Sequence, residues 1–291
     1  MDITTFIIAT FCLIDDQLKG KSLRQRGPQP TLKDSEVLTM EVVGEYLGLD
    51  EDKAIYTHFR QHYADWFPGL LKIDRTTFIR QAANLWKVKQ ELWQTLIQGI
   101  AYDPHFSIVD SFPVPICRFA RANRSRLYAG SAAYGHDEVA RQTYFGFRAH
   151  VRLAWPGVIV GCTVAPANIH DIEGAAELLE GVSGFALGDR NYWNPDLFEQ
   201  WKRQGLWLLA PYKSAKREKQ PFPFRLKQVR YRIETVFGQL VERYHAKKVW
   251  ARDLWHFTSR WMRKLLSHTL AVFFCLQEEI SMLSFEKLIT F

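Results

Sequence analysis

The spacing of apolar residues changes along this chain close to residue 104. Before that point it is helical: in the segment that starts at Ser35, apolar residues stand at positions 37, 38, 42, 43, 46 and 47. A second apolar stripe follows Asp74 and Thr76, either of which could cap a helix, and Phe67-Pro68-Gly69 is typical of a break between helices. We therefore predict an all-helical N-terminal region over residues 1–100.

Beyond residue 104 the pattern has strand character. The stretch Phe106–Val114 is rich in residues that favour strands, and Pro113 restricts it to an edge or an end of a sheet. From Thr143 to Trp155 apolar and polar side chains alternate, the turn Pro156-Gly157 follows, and Val158–Ala165 forms a second such stretch. This pattern predicts a β-hairpin.

Helices and short strands then alternate. The predicted elements are a helix over Asp171–Glu180, a buried strand over Phe185–Leu187, a helix that Asn194 caps and Pro195 begins, a buried strand over Leu206–Ala210, an amphipathic helix over Leu226–Tyr244 and a last helix over about 257–280. This order predicts an α/β (α+β mixed) domain in which a mixed sheet is flanked by helices. We assign the domain to residues 101–280 and treat residues 281–291 as a C-terminal tail.

Composition adds three constraints. The net charge of +7 suits a polyanionic partner such as DNA. The 4 cysteines stand far apart without a CxxC pair, which disfavours a zinc site and a disulfide framework. No apolar run reaches the ~18–20 residues of a membrane span, so we expect a cytoplasmic protein without a membrane partner.

Three carboxylates stand where an acidic side chain is costly unless it is paired or binds a metal. Asp110 lies within the first apolar strand, and Asp189 ends a later one after Gly188, which lets the backbone pass close to a ligand. Glu234 follows the core position Ile233 on the amphipathic helix, at the border of the apolar stripe. Two strands and one helix can bring these side chains to one point.

The residue types of this set indicate which ions it would bind. Carboxylate oxygens suit Mg²⁺ or Mn²⁺, and two such ions ~3.5–4 Å apart can activate a nucleophile and stabilise the leaving oxygen of a phosphodiester. We predict two ions held by Asp110, Asp189 and Glu234, with Asp110 bridging them. Each residue also has a simpler interpretation: Asp110 as a satisfied buried carboxylate, Asp189 as a turn residue or partner of Arg190, and Glu234 as partner of Arg230 one helical turn earlier.

Several short segments occur in an order that resembles a known family. They are IVDSFPVPICRFARANR, AAYG, FGFRAHV, ALGDRNYW, LAPYK and YRIETVFGQL. In these segments the chain resembles the DDE transposases of bacterial insertion sequences, which belong to the ribonuclease H-like superfamily together with retroviral integrases. The likeness extends over nearly the whole chain, and the catalytic carboxylates of the family match Asp110, Asp189 and Glu234.

The resemblance implies a ribonuclease H-like catalytic domain and a two-step reaction on DNA. A metal-activated water nicks the end of the element and frees a 3′-hydroxyl, which then attacks a phosphodiester of the target. Many relatives carry Tyr, Arg, Glu and Lys at a regular spacing on the last catalytic helix. Arg230 and Glu234 match that pattern, whereas Lys227 and Val241 stand at the Tyr and Lys positions, which places this chain in a different branch.

Basic residues in two segments and on the catalytic helix are candidates for DNA contacts. The long connection over about 115–142 and the run that leads towards Glu234 supply most of them, and the full set is Arg118, Arg121, Arg124, Arg126, Lys213, Lys216, Arg217 and Arg230. For both segments a solvated surface is the alternative interpretation.

Aromatic residues and one further acid have less specific patterns. Tyr192 and Trp193 could stack on a flipped base, but packing is the favoured interpretation, and Trp250 and Trp255 are also expected in the core. We expect Asp171 to cap a helix, with a metal ligand or water-positioning group as the alternative.

The predicted partner is double-stranded DNA, both the terminal inverted repeats and the target, bound by a homodimer. The N-terminal helices would recognise the ends or form the dimer. Two alternatives stay open: a two-metal nuclease that cuts without joining, and a non-catalytic DNA-binding protein derived from a transposase.

Overall fold

The computed structural model describes residues 1–21, 23, 27–213 and 222–290. They form two compact units, one made of Met1–Gly99 with Glu242–Phe291 and the other of Ile100–Val241. The helices are α1 (Ile3–Leu18), α2 (Asp34–Tyr46), α3 (Asp52–His62), α4 (Arg75–Asn84), α5 (Trp86–Gln98), α6 (Phe119–Ala122), α7 (Asp171–Leu178), α8 (Pro195–Arg203), α9 (Phe224–Gly238) and α10 (Leu254–Gln277). The strands are β1 (Asp103–Arg118), β2 (Ala133–Asp137), β3 (Gln142–Trp155), β4 (Val158–Pro166), β5 (Gly184–Leu187) and β6 (Leu206–Leu209).

The first unit, called the helical unit below, contains α1–α5 and α10. Helix α10 packs against α2, α4 and α5. Leu38 and Val42 of α2 and Leu266 and Leu270 of α10 are fully buried. A helix with apolar side chains around most of its circumference has to be surrounded by other elements, which explains the central position of α2 and α10.

The two ends of the chain are therefore parts of one unit. We assigned the last helix to a domain over 101–280 and residues 281–291 to a tail, but in the structure both belong to the helical unit. Phe285 and Leu288 are buried there, and the Tyr46 hydroxyl donates a hydrogen bond to the carbonyl of Phe285 at 2.7 Å. The periodicity of α10 predicts that the helix is buried but does not identify its neighbours.

Charged side chains inside the helical unit are paired with one another. Lys89 Nζ lies 2.8 Å from Glu41 Oε1, and Arg263 Nε lies 2.6 Å from Glu45 Oε2. Lys264 Nζ also donates to Glu45. All of these residues are buried, so each charge is compensated by a direct partner rather than by water.

The second unit, called the sheet unit below, is built on a mixed sheet with β1 at its centre. β3 pairs with β1 in antiparallel orientation, and β5 pairs with the other edge of β1 in parallel orientation, followed by β6. The far edge of β3 carries β2 and β4. The predicted hairpin and the mixed α/β class are thus confirmed. Pro113 lies beyond the short stretch of β1 that pairs with β5.

Helices cover both faces of the sheet unit. Alternate residues of β1 point to opposite faces. On one face Phe112 packs against Phe237 of α9, with ring centroids 4.8 Å apart. On the other face Val109 joins a buried cluster with Ala175 of α7 and Ala186 of β5.

The burial predicted for β5 and β6 is confirmed for one face of these strands only. The buried residues are Ala186, Leu187, Leu206 and Leu208, but Phe185 is 46% exposed and Trp207 is 43% exposed. These two rings lie 5.6 Å apart on neighbouring strands and pack against each other. β6 is the last strand of the sheet, so its residues have fewer neighbours than an apolar run alone suggests.

Candidate active site

Asp110 and Asp189 occupy equivalent positions on neighbouring parallel strands. Ile108 of β1 is paired in register with Leu187 of β5, and each aspartate comes two residues later in its own segment. Neighbouring strands are ~4.8 Å apart, and parallel strands run in the same direction. Both aspartates therefore lie just beyond the same end of the β1–β5 pairing.

Helix α9 brings Glu234 to this pair of aspartates. The same nitrogen of Arg230, Nη1, lies 3.4 Å from Asp110 Oδ2 and 3.3 Å from Glu234 Oε1. Because both carboxylate oxygens contact the same nitrogen, the distance between them cannot exceed the sum of the two contact distances. Ile233 is fully buried against the sheet unit's core, and Glu234 is half-buried beside it, as predicted for the border of the apolar stripe.

The surroundings of Asp110 oppose its ionisation. Burial, and then the negative charges of Asp189 and Glu234, raise the pKa of Asp110 to about 8, although the Ser111 N–H and Arg230 act in the opposite direction. Burial also raises the pKa of Asp189, against the stabilising N–H of Asn191. The three carboxylates thus form a site with more negative charge than Arg230 compensates.

Asp171 lies next to this site and does not act as the expected helix cap. His170 is the N-cap residue of α7, and Asp171 is the first residue of the helix. Its carboxylate accepts hydrogen bonds from Ser111 Oγ, from Arg148 Nη1 at 2.9 Å and from Asn191 Nδ2 at 3.3 Å. The sequence showed Arg148 only as one polar position of an alternating strand.

A cavity of about 610 Å³ opens beside Asp171. Its wall combines the basic side chains of Arg148 and Lys213 with the carboxylates of Glu138 and Asp171.

The predicted DNA-contact residues lie in different surroundings. Those that are exposed are Arg118, Arg121, Arg124, Arg126 and Lys213. Lys216 and Arg217 lie outside the described residues. Arg230 is engaged with the carboxylates of the site, as described above. Contact of any of these residues with DNA stays a prediction.

The aromatic candidates divide into a buried and an exposed group. Tyr192 is buried in the cluster that contains Val109, which agrees with the packing interpretation. Trp250 and Trp255 are 58% and 50% exposed, so the expectation that they lie in the core was wrong. Trp255 packs edge-on against Trp86 of the helical unit.

Comparison with known proteins identifies the family. A family model described as "Transposase DDE domain" matches residues 101–249, which is more than half of the chain. The chain belongs to the DDE transposase family. No curated protein and no solved structure matches it. The matched stretch contains the three carboxylates, and membership implies a transposase-type nuclease with DNA as substrate.

DDE transposases generally use divalent metal ions, so the donors of this site can be tested for such a role. Among the described residues, no group of three or more His, Cys, Asp or Glu side chains is arranged to hold a metal ion. The guanidinium of Arg230 lies between Asp110 and Glu234. The donors themselves fit Mg²⁺ or Mn²⁺, because they are carboxylate oxygens whose negative charge exceeds the positive charge of Arg230. The guanidinium of Arg230 already occupies a position between two of them, where a metal cation could lie.

The helices of this DDE transposase give no indication of a membrane segment. Within the described part of the chain, none is long and apolar enough to cross a bilayer.

Proposed function

We propose that this DDE transposase cleaves DNA at the ends of an insertion sequence and joins the freed 3′-hydroxyl to target DNA. Asp110, Asp189 and Glu234 would hold two Mg²⁺ or Mn²⁺ ions. The observation that carries the proposal is the convergence of these three carboxylates from β1, from the end of β5 and from α9. All three carboxylates lie within residues 101–249, the stretch that the family model matches.

A ribonuclease H-like assignment of the sheet unit is part of this proposal. The strand order β4–β3–β1–β5–β6, with β1, β5 and β6 parallel and β3 antiparallel to β1, supports it. In sheets with parallel strands, ligands bind at the carboxyl ends of the strands. Asp189 lies just beyond the end of β5, and Asp110 lies just beyond the stretch of β1 that pairs with β5.

The bound ions, Asp110 and Arg230 would have different roles in the reaction. Bound divalent ions supply activation of the attacking oxygen and stabilisation of the leaving oxygen. Asp110 must be deprotonated to act as a ligand, and its raised pKa makes ligation depend on pH around neutrality. If the carboxylates bound a cation, Arg230 would no longer be needed to compensate their charge, and its guanidinium could contact a DNA phosphate.

The DNA would pass over basic surfaces of the sheet unit. The exposed arginines near α6 and the exposed Lys213 at the cavity beside Asp171 would supply positive charge for phosphates. Lys216 and Arg217, outside the described residues, are proposed to contact DNA as well. The helical unit would recognise the terminal repeats or pair two subunits, because joining two ends requires two active sites on one DNA complex.

The carboxylates are tested by Asp110→Asn, Asp189→Asn and Glu234→Gln. Loss of a metal ligand should reduce cleavage of terminal-repeat DNA by more than ~100-fold, since even outer partners of a ligand cost 10–100-fold. DNA affinity, measured by fluorescence anisotropy, should stay nearly unchanged. Glu199→Gln is the matched control, because Glu199 is exposed and lies in the sheet unit. Normal cleavage by any one of the three variants would remove that residue from the site.

The joining step needs an assay of its own. A precut DNA end with a 3′-hydroxyl is incubated with the protein, Mn²⁺ and a supercoiled target, and joined product is expected. Cleavage without joining would favour the alternative of a two-metal nuclease. If neither reaction occurs but the DNA is bound, the alternative of a non-catalytic DNA-binding protein is favoured.

A further inference from the structure

We propose that Asp171 is a positioning residue that couples Asp110 to Asp189. This inference rests on the proposed function, since it concerns how the carboxylates of that site are held. This role differs from the two that the sequence context of Asp171 suggests, which are a helix cap and a metal ligand.

The contacts of Asp171 lead directly to both aspartates. Ser111, whose hydroxyl donates to Asp171 Oδ1, also donates its backbone N–H to Asp110 Oδ1 at 2.8 Å. Asn191, whose amide donates to Asp171 Oδ2, donates its backbone N–H to Asp189 Oδ1, also at 2.8 Å. One carboxylate thus connects the two backbone segments that orient the two aspartates.

A third contact ties this connection to the rest of the sheet. Arg148 Nη1 donates to Asp171 Oδ1 at 2.9 Å, and Arg148 Nη2 donates to the carbonyl of His136 in β2 at 3.0 Å. Asp171 and Arg148 are 10% and 18% exposed, so the ion pair is screened less than a surface pair. Strands β1 and β3, helix α7 and the segment after β5 are thereby held in one arrangement.

The same contacts disfavour a ligand role for Asp171. Both of its oxygens already accept hydrogen bonds, and Arg148 compensates its charge. Ser111 follows Asp110 in the strand and therefore points to the opposite face of β1, where α7 packs. Asp171 therefore lies on the opposite face of β1 from Asp110 and is linked to the two aspartates through Ser111 and Asn191.

Such outer partners determine how precisely ligands are placed. A supporting hydrogen bond typically contributes 10–100-fold to metal affinity, because loosely held ligands lose orientational freedom on binding. In Asp171→Asn, an uncharged amide replaces the carboxylate that accepts hydrogen bonds from Ser111, Arg148 and Asn191. The positive charge of Arg148 then lacks its negative partner. The expected result is looser placement of Asp110 and Asp189 in a folded protein.

The test measures Mn²⁺ binding to DNA-free protein by electron paramagnetic resonance. Asp171→Asn should weaken the affinity for Mn²⁺ by ~10–100-fold. Glu173→Gln is the matched control: it removes a negative charge from the same first turn of α7, and Glu173 is exposed. Its affinity should be that of the unchanged protein. In single-turnover cleavage, Asp171→Asn should lower the rate while DNA affinity stays constant.

The outcomes separate this inference from the proposed function. If Asp110→Asn abolishes Mn²⁺ binding and Asp171→Asn binds as Glu173→Gln does, the positioning role is wrong and the site stands. If Asp110→Asn binds Mn²⁺ normally, the proposed metal site is wrong.

If Asp171→Asn does not fold, as judged by circular dichroism, Ser111→Ala and Asn191→Ala replace it. Each removes one side-chain link and keeps the backbone N–H that orients an aspartate. Both should weaken Mn²⁺ binding, and the double variant should weaken it further. Unchanged affinity in all three would overturn the proposal.

Discussion

At the scale of single residues, Asp110 combines burial with the proximity of two other carboxylates. A cation between the carboxylates relieves both effects, and in this structure the guanidinium of Arg230 takes that place. Burial and, after it, repulsion raise the pKa of Asp110, and a bound divalent ion would relieve the repulsion. The same arrangement should make the stability of the fold depend on pH.

Replacing Asp110 by Asn should stabilise the metal-free protein at high pH. The folded pKa of about 8 exceeds the ordinary value of ~3.9, so between these values Asp110 ionises in the unfolded chain but stays protonated in the folded one, and the folded state loses stability as pH rises. At pH 8, Asp110→Asn should gain on the order of 1–3 kcal/mol in the free energy of unfolding. Near pH 4 the two proteins should be equally stable.

Thermal unfolding in the presence of a chelator, measured from pH 4 to pH 8, checks this expectation. Glu199→Gln serves as control, because Glu199 is exposed. A constant difference in Tm between Asp110→Asn and the unchanged protein over this range would contradict the assigned pKa.

At the scale of elements, the short strand β5 depends on a close approach to β1. Gly184 begins β5 with a φ of +96°, and a Cβ at this position would lie 2.2 Å from the carbonyl oxygen of His105. Asp189 follows this strand closely. A side chain at Gly184 would therefore disturb the segment that carries one of the three carboxylates.

Gly184→Ala should lower the free energy of unfolding by ~2–4 kcal/mol, from backbone strain together with steric overlap. Gly181→Ala is a matched control, because Gly181 also has a positive φ of +69° but open space around its Cβ position. That variant should lose only ~1 kcal/mol. Urea unfolding measures the free energy of unfolding of both variants. Equal losses in Gly184→Ala and Gly181→Ala would show that the contact with His105 does not contribute to stability.

At the scale of the whole molecule, buried charges connect distant parts of the helical unit. Lys89 of α5 donates to Glu41 of α2 and to the Ser259 hydroxyl of α10, at 2.8 Å and 2.7 Å. Such pairs contribute little net stability compared with apolar packing, but removing one partner leaves an uncompensated buried charge. The network thus selects one arrangement of α2, α5 and α10.

Lys89→Met should destabilise the protein by ~3–5 kcal/mol, because Glu41 stays buried with one cation fewer. Lys202→Met removes a lysine from an exposed pair with Glu199 and should change stability by less than ~1 kcal/mol. Guanidinium unfolding followed by circular dichroism measures both. Similar small effects in the two variants would mean that Glu41 becomes protonated or hydrated without cost.

Two predictions from local pattern agreed with the structure because their cause is local. Asn194 caps α8 by accepting from the N–H of Leu197, and β3 and β4 form the predicted hairpin. Backbone conformation and capping depend on residues within a few positions of each other, so the sequence contains this information directly.

The sequence by itself determined the mixed α/β class, the family and three acidic side chains in otherwise apolar surroundings. Only the tertiary structure decided that α10 joins the N-terminal helices, that Arg230 lies between Asp110 and Glu234, and that Asp171 connects the segments of Asp110 and Asp189. The physical reason is the range of the interactions. A side chain's type and spacing indicate that it needs a partner, but partners more than 50 residues away along the chain are selected by packing.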